Sequence, residues 1–482
     1  MSDLVKLTIE GREVEAPQGT TILEAAKLAG VLIPHYCYHP SLRIAGVCRM
    51  CLVEIEGWPK LAASCATTVA PGQVVHVSSK QAKAARQGVL EFLLINHPLD
   101  CPICDQAGEC ELQDYVFQEG RSGTRYGAYA KRFNPVEDFG PDVLYVPNRC
   151  ILCTRCVRFM DHVAEESVLN VSDRGDRAHI GIDAGRTLDH AWSGNVVDLC
   201  PVGSLISKDF LHKARVWDLD RTASVCSGCT QGCNVVLETR DNAVLRVRPR
   251  PNAEVNRHFI CDYGRFNYDW LNRADRIEAP LVRENGRVVP VDWDRAIERT
   301  VDVLRSAKAP WVGLVSPGVS CEALEAAARL LALGGGTGAF RVAEGEEAPL
   351  AGVPDLALRK ERAPNVHGAV AAGFSRDWDR AVADARDAGL VFVLDEDLAG
   401  TQALPPGVPL IYVGTVLPES ARDAAVVLPC ANMAEEEGSF VNLRGLRQAY
   451  CQAKTPPGMA RPAAWVLEEV LAALGAETGV AA

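Results

Sequence analysis

The placement of the cysteines constrains this chain more than any other feature. There are eighteen; fifteen fall before residue 262, and only Cys321, Cys430 and Cys451 lie beyond it. Disulfide-stapled folds are small and loop-rich, whereas this chain has 482 residues and is 48% hydrophobic, enough to bury sizeable cores unaided. The opening residues, Met1-Ser-Asp-Leu-Val-Lys-Leu-Thr-Ile-Glu, lack the apolar stretch of a secretory signal and the Arg-rich pattern of a transit peptide, so a reducing compartment is expected. In that setting, clustered cysteines point to metal or redox chemistry. The formal charge of −12 disfavours general nucleic-acid binding, and no apolar run is long enough for a transmembrane helix.

The first group is Cys37, Cys48, Cys51 and Cys65, spaced C-x10-C-x2-C-x13-C. Val5 to Ile9 and Glu13 to Ala16 read as strands around the Glu10-Gly11-Arg12 turn, followed by a short helix from Thr21 ending at Gly30. Two strands, a helix and a cysteine loop predict a ferredoxin-like β-grasp module, and four thiolates suit a [2Fe–2S] centre. The second group is His97, Cys101, Cys104 and Cys110, spaced H-x3-C-x2-C-x5-C. Three cysteines need a fourth ligand, and His97 is the nearby nitrogen donor, just past a helix over Gln81 to Asn96.

The third group, Cys150-Ile-Leu-Cys153-Thr-Arg-Cys156 with Cys200-Pro201, is the bacterial ferredoxin run with its C-P supplied after 43 intervening residues. Asn170 to Cys200 contains no second cysteine triplet, so one [4Fe–4S] centre is expected in this domain. The fourth group is Cys226, Cys229, Cys233 and Cys261, with a hairpin turning at Asp241-Asn242 between its last two members. It suits a further [4Fe–4S] centre. Structural zinc is the rival at the four-cysteine sets, strongest at this last one. Fifteen cysteines and His97 make sixteen ligands, four complete sites with none left over.

In this order, the four sets resemble the large iron–sulfur subunits (the 75 kDa, or G, type) of proton-pumping NADH:quinone oxidoreductase, respiratory complex I. The resemblance covers residues 1–275. It is carried by Cys48-Arg-Met-Cys51-Leu-Val-Glu, His97-Pro-Leu-Asp-Cys101-Pro-Ile-Cys104-Asp, Arg149-Cys150-Ile-Leu-Cys153-Thr-Arg-Cys156-Val-Arg-Phe and Asp198-Leu-Cys200-Pro201-Val-Gly. It implies one [2Fe–2S] and three [4Fe–4S] centres on the sets above, the fourth being an extra centre of some bacterial members that lies off the main electron path. It also implies electrons arriving from a flavin subunit that oxidises NADH and leaving to a ferredoxin-like subunit with two [4Fe–4S] centres. A small 2Fe–2S subunit is a further expected partner. Such a chain is a conductor in the peripheral arm on the cytoplasmic side of a bacterial inner membrane. It needs no acid, base or nucleophile, and meets the membrane only through its partners.

Five segments are expected: a 2Fe–2S domain over 1–80, a helical segment with one His and three Cys ligands over 81–120, a 4Fe–4S ferredoxin-like domain over 121–218, a β-rich four-cysteine subdomain over 219–275, and an α/β domain over 276–482. Strand candidates at Trp311, Leu390 and Leu410, with a helix over Cys321 to Leu333, predict a mostly parallel sheet. Asp262-Tyr-Gly-Arg-Phe-Asn-Tyr, Arg276-Ile-Glu-Ala-Pro-Leu-Val-Arg and Glu435-Glu-Glu-Gly-Ser-Phe-Val-Asn-Leu-Arg-Gly resemble molybdopterin oxidoreductases. Only 207 residues remain from 276 onward, so a reduced scaffold without pterin is expected, with Gly345 to Arg380 marking where material is missing. Gly334 to Gly338 reads as a helix-ending loop, Cys321, Cys430 and Cys451 as structural, and Ala463 to Leu474 as a short amphipathic helix. Arg149, Arg155 and Arg158 flank the third set and read as a solvated basic face, with a role in tuning or docking as the alternative. The functional alternatives are a molybdenum- or tungsten-dependent formate dehydrogenase α-type subunit, an iron-only hydrogenase, which would need more clustered cysteines, and a zinc-stapled interaction protein.

Overall fold

The computed structural model describes residues 4–127, 131, 133–400 and 407–475. The chain divides into two compact units, one of Met1–Asp218 with Leu350–Pro354, the other of Leu219–Pro349 with Asp355–Ala482.

In the first unit, Leu4–Ile9 and Arg12–Pro17 alternate buried and exposed residues and pair antiparallel through Glu10 and Gly11, both left-handed, the turn that matches strand twist. They extend into a five-stranded sheet in which Leu4–Ile9 lies parallel to Val74–His76, with Leu52–Ile55 and Ala62–Ala63 beyond. The helix Ile22–Leu28, capped by Thr21, turns Ile22, Leu23, Ala25 and Ala26 onto this sheet, giving the β-grasp form. Then come the helices Lys80–Asn96 and Glu111–Glu119. After them, the strands Glu137–Asp138, Val143–Tyr145 and Leu205–Ser207 form a small sheet, and Leu169–Ser172 pairs with His179–Ile182. The short helices Arg155–His162 and Asn195–Leu199 belong to the same region.

In the second unit, the strands Asn234–Arg240 and Ala243–Pro249 form the expected hairpin, and Asp220–Val225 adds a third strand. The larger sheet has seven strands. Thr337–Phe340, Trp311–Val315, Leu390–Leu394, Leu410–Gly414 and Val426–Pro429 run parallel in that spatial order, and the hairpin Leu281–Glu284/Arg287–Pro290 closes one edge. Alternate residues feed different cores: Leu390, Phe392 and Leu394 pack with the helices Trp293–Ser306, Cys321–Leu333 and Ala463–Ala473, while Val391 and Val393 pack with Ala385 and Ala388. The sheet is therefore covered on both faces. Ala463–Ala473 lies in this core, with Val466, Leu467, Val470 and Leu471 buried. Gly334 caps the helix Cys321–Leu333, and the chain enters a strand at Thr337.

Gly345 to Arg380 holds the small ladder Ala348–Pro349/Ala357–Leu358 and the helices Val366–Ala371 and Trp378–Asp384. One expectation needs correction. Of the three cysteines read as structural, Cys321 and Cys430 are buried but Cys451 is exposed, so it fills no core position. Among the described residues, no helix is long and apolar enough to cross a membrane.

Candidate metal centres

In each of the four sets, cysteines lie within hydrogen-bond or electrostatic reach of one another. In the first, Gly46 (φ 64°) and Arg49 (φ 58°) curl the chain around Cys48 and Cys51. Cys37 exchanges hydrogen bonds with Cys48 and Cys65, and Cys65 with Cys51. Those bonds, from Cys48 onto Cys37 and from Cys65 onto Cys51, pull Cys37 well down and Cys51 down to about 6, while Cys48 and Cys65 are pushed up. The N–H groups of Val47 and Cys48 also point at the Cys37 sulfur.

In the second set, His97 ends the helix Lys80–Asn96, Cys101 opens a 3-10 turn, Cys104 closes it, and Cys110 caps Glu111–Glu119. Cys104 lies in electrostatic reach of Cys101, and Cys110 of Cys104. His97 sits beside Asp100 and Arg149, and Cys104 too feels Arg149. Burial, reinforced by Lys131 and Arg149, holds the imidazole down to about 4, so at neutral pH its nitrogen lone pair is free to bind a metal. A Cβ on Gly203 would collide with the Cys104 sulfur, so that close approach requires glycine.

The third set surrounds a cavity. Cys150, Cys153, Cys156 and Cys200 together wall a small cavity with Tyr145, Ile180, Val202 and Leu205. Leu152 (φ 52°) and Thr154 (φ 60°) are both left-handed, a conformation costly above all for the β-branched Thr154, and curl the run C-x2-C-x2-C. The Leu152 N–H donates to Cys150 Sγ at 3.4 Å, and the N–H groups of Leu205, Val202 and Ser204 point at Cys200. Burial pushes the Cys150 thiol up to about 11 and Cys153 up to about 12. In the fourth set all four cysteines are buried and in mutual electrostatic reach. The N–H groups of Gly228 and Gly264 donate to Cys226 Sγ and Cys261 Sγ, each at 3.4 Å. A Cβ on Gly264 would lie 2.8 Å from the first sulfur and 3.6 Å from the second.

These donor sets fit iron–sulfur groups. Buried thiols resist ionising alone, and a cationic cluster would supply the missing charge. N–H donors aimed at sulfur and glycines that clear space beside it are what thiolate-held clusters need. Among the described residues, no three His, Cys, Asp or Glu side chains converge as they would on a single metal ion.

The flanking arginines are not a solvated face. Arg149, Arg155 and Arg158 are 7%, 4% and 8% exposed. Arg149 donates to Asp100 at 2.9 Å and to the Gly203 carbonyl. Arg155 donates to Glu111 at 2.9 Å and to the carbonyls of Leu199 and Tyr38. Arg158 reaches the carbonyls of Cys37 and Cys153. All three thus touch more than one ligand loop. Spacing could not reveal this, because the partners are distant in sequence; the one available signal was three arginines within ten residues of a cysteine run.

Family profiles match in sequence order: a 2Fe-2S iron-sulfur cluster binding domain over 2–80, the NADH-ubiquinone oxidoreductase-G iron-sulfur binding region over 86–125, the ferredoxin-like domain of NADH-quinone oxidoreductase subunit 3 over 140–206, the molybdopterin oxidoreductase Fe4S4 domain over 219–273, and molybdopterin oxidoreductase over 373–473. The NADH-quinone oxidoreductase G subunit of Rickettsia bellii is 45% identical over 305 residues, covering 63% of this chain and 44% of that protein. The mitochondrial NADH-ubiquinone oxidoreductase 78 kDa subunit of Neurospora crassa is 47% identical over 294 residues, covering 61% and 39%. Among solved structures, a chain of an NAD+-reducing [NiFe]-hydrogenase in the H2-reduced state aligns at 32% identity and a TM-score of 0.40, covering 44% of this chain and 91% of that one. The chain spans less than half the length of the curated relatives it matches. With iron–sulfur and molybdopterin-type domain profiles in this succession and relatives at 42–47% identity, the chain belongs to the family of large iron–sulfur, G-type components of NADH-quinone oxidoreductase.

Proposed function

We propose that this chain is the iron–sulfur electron-transfer subunit of an NADH:quinone oxidoreductase. It holds a [2Fe–2S] centre on Cys37, Cys48, Cys51 and Cys65. It holds [4Fe–4S] centres on His97, Cys101, Cys104 and Cys110, on Cys150, Cys153, Cys156 and Cys200, and on Cys226, Cys229, Cys233 and Cys261. The observation that carries the reading is the third set's cavity, whose wall includes all four thiols. The clusters supply one-electron capacity. The protein's own residues hold them, exclude water by burial, and direct N–H groups at the sulfurs. No side chain acts as acid or base.

The electron donor is then a flavin subunit that oxidises NADH, with a small 2Fe–2S subunit beside it, and the acceptor is a ferredoxin-like subunit leading to quinone. The assembly's peripheral arm faces the cytoplasm. Its segments are those set out at 1–80, 81–120, 121–218, 219–275 and 276–482, the last serving as a scaffold without pterin. The third set is the middle station: Arg158 joins the carbonyls of Cys37 and Cys153, and Cys110 lies in electrostatic reach of Cys200.

The test is an iron and acid-labile sulfide count on the full chain purified without oxygen, with low-temperature EPR after reduction. One [2Fe–2S] and three [4Fe–4S] centres predict about 14 irons per chain. Little iron together with tightly bound zinc would defeat the reading.

A further inference from the structure

Arg158 differs from its two neighbours in what balances its charge. Arg149 has Asp100 and Arg155 has Glu111. Arg158 has no carboxylate partner among the described residues. Its Nε donates to the Thr154 carbonyl and hydroxyl, each at 3.2 Å; its Nη1 donates to the Arg43 carbonyl; its Nη2 donates to both the Cys37 carbonyl and, at 3.2 Å, the Cys153 carbonyl. A buried guanidinium served only by carbonyl and hydroxyl oxygens is expensive to keep. Burial, the largest influence, and Arg155 pull the guanidinium below its ordinary range, and Cys153, Cys37 and Cys156 act against them in favour of its charge. These cysteines belong to the first and third sets. A single nitrogen therefore bridges the backbone carbonyls of ligand residues separated by more than a hundred positions, one from the first set and one from the third.

We propose that Arg158 is a positioning residue shared by the first and third centres, holding their ligand loops together and serving as the common counter-charge for both. This rests on the cluster assignment made above. Reduction adds one electron, and so one negative charge, to a centre without making or breaking a bond. A fixed cation beside both centres favours that added charge and raises both reduction potentials. Its two carbonyl contacts also keep the two ligand loops at a fixed separation, a condition for transfer between them. Arginine suits both tasks, because its planar fork spans two acceptors that the single ammonium of lysine cannot reach in the same geometry.

The test is a redox titration of the full chain, purified without oxygen and followed by low-temperature EPR, on the parent, Arg158→Gln and Arg158→Lys. The expected result for Arg158→Gln is a fall in the midpoints of the first and third centres, with the second and fourth unmoved. Arg158→Lys keeps the charge and is expected to return both midpoints most of the way to the parent, while the magnetic interaction between the two reduced centres weakens. Iron-loaded Arg158→Gln with both midpoints unchanged, or a shift shared equally by all four centres, would overturn the proposal. So would Arg158→Lys midpoints as low as those of the glutamine variant, or, where Arg158→Gln loads poorly, Arg158→Lys midpoints and magnetic interaction both identical to the parent's. A parent chain that binds no iron would instead remove the cluster assignment, and the proposal with it.

Discussion

His97 is the residue on which the count of four complete ligand sets depends, and its chemistry gives a direct check. Its half-buried imidazole is neutral at pH 7, so His97→Cys exchanges a neutral ligand for a negative one. The second centre should still assemble, with a lower midpoint and an altered EPR signal. An unaltered signal would show that His97 is not a ligand. Gly203 gives a second check, since an alanine Cβ there would press on the Cys104 sulfur and on Gln106 Cβ, 3.1 Å away. Gly203→Ala should lose the second centre and roughly four irons per chain, leaving the other three in place; a full iron count would argue against it. At this scale the candidate ligand sets could be proposed from spacing because each is largely local in sequence. The residues that serve several sets were not: Arg158 and Cys37 are 121 positions apart, and nothing in the spacing of either announces the other.

Among the elements, the helix Cys321–Leu333 shows what local chemistry can specify. Ser320 Oγ accepts from the Ala323 N–H at 3.2 Å, and the helix ends at Gly334. Ser320→Ala should remove about 1 kcal/mol of stability, read as a lower denaturation midpoint, because a buried cap leaves an N–H without its partner. An unchanged midpoint would mean that the cap contributes nothing. The bounds of this helix, the strands at Trp311, Leu390 and Leu410, and the hairpin at Asp241-Asn242 were all readable from apolar runs and turn residues. Asp220–Val225 was not, because its outer residues are mostly exposed and its polar sequence gives little strand signal; only its pairing with Asn234–Arg240 makes it a strand. The hairpin closing the large sheet's edge carried a signal that went unused, the Asn285-Gly286 turn with both residues left-handed. The elements within Gly345 to Arg380 could not be read from composition, because they depend on distant contacts such as the hydrogen bond from the Asn365 amide to the Val319 carbonyl, 46 residues away.

At the scale of the whole molecule, two carboxyls in the second unit contribute a pH dependence to stability that can be isolated. Burial pushes Glu436 and Glu396 up to about 7, above the ordinary 4.5. The folded state therefore holds protons that the unfolded chain releases. The stability these groups contribute is complete below about pH 4.5, declines as pH rises to about 7, and stays low above that. Glu436 is 5% exposed and accepts a hydrogen bond from the Tyr450 hydroxyl at 2.8 Å, so Glu436→Gln removes the charge while keeping an acceptor. Each pKa unit is worth about 1.4 kcal/mol, which puts the effect at the order of 3 kcal/mol. The glutamine variant should be more stable than the parent at pH 8, and the difference should shrink steadily toward pH 5.5. Every other titrating group is common to both proteins, so this difference isolates Glu436. Thermal unfolding of the two chains in matched buffers across that range reads it, and a difference independent of pH would mean that Glu436 is ionised in the fold at neutrality like any surface carboxylate.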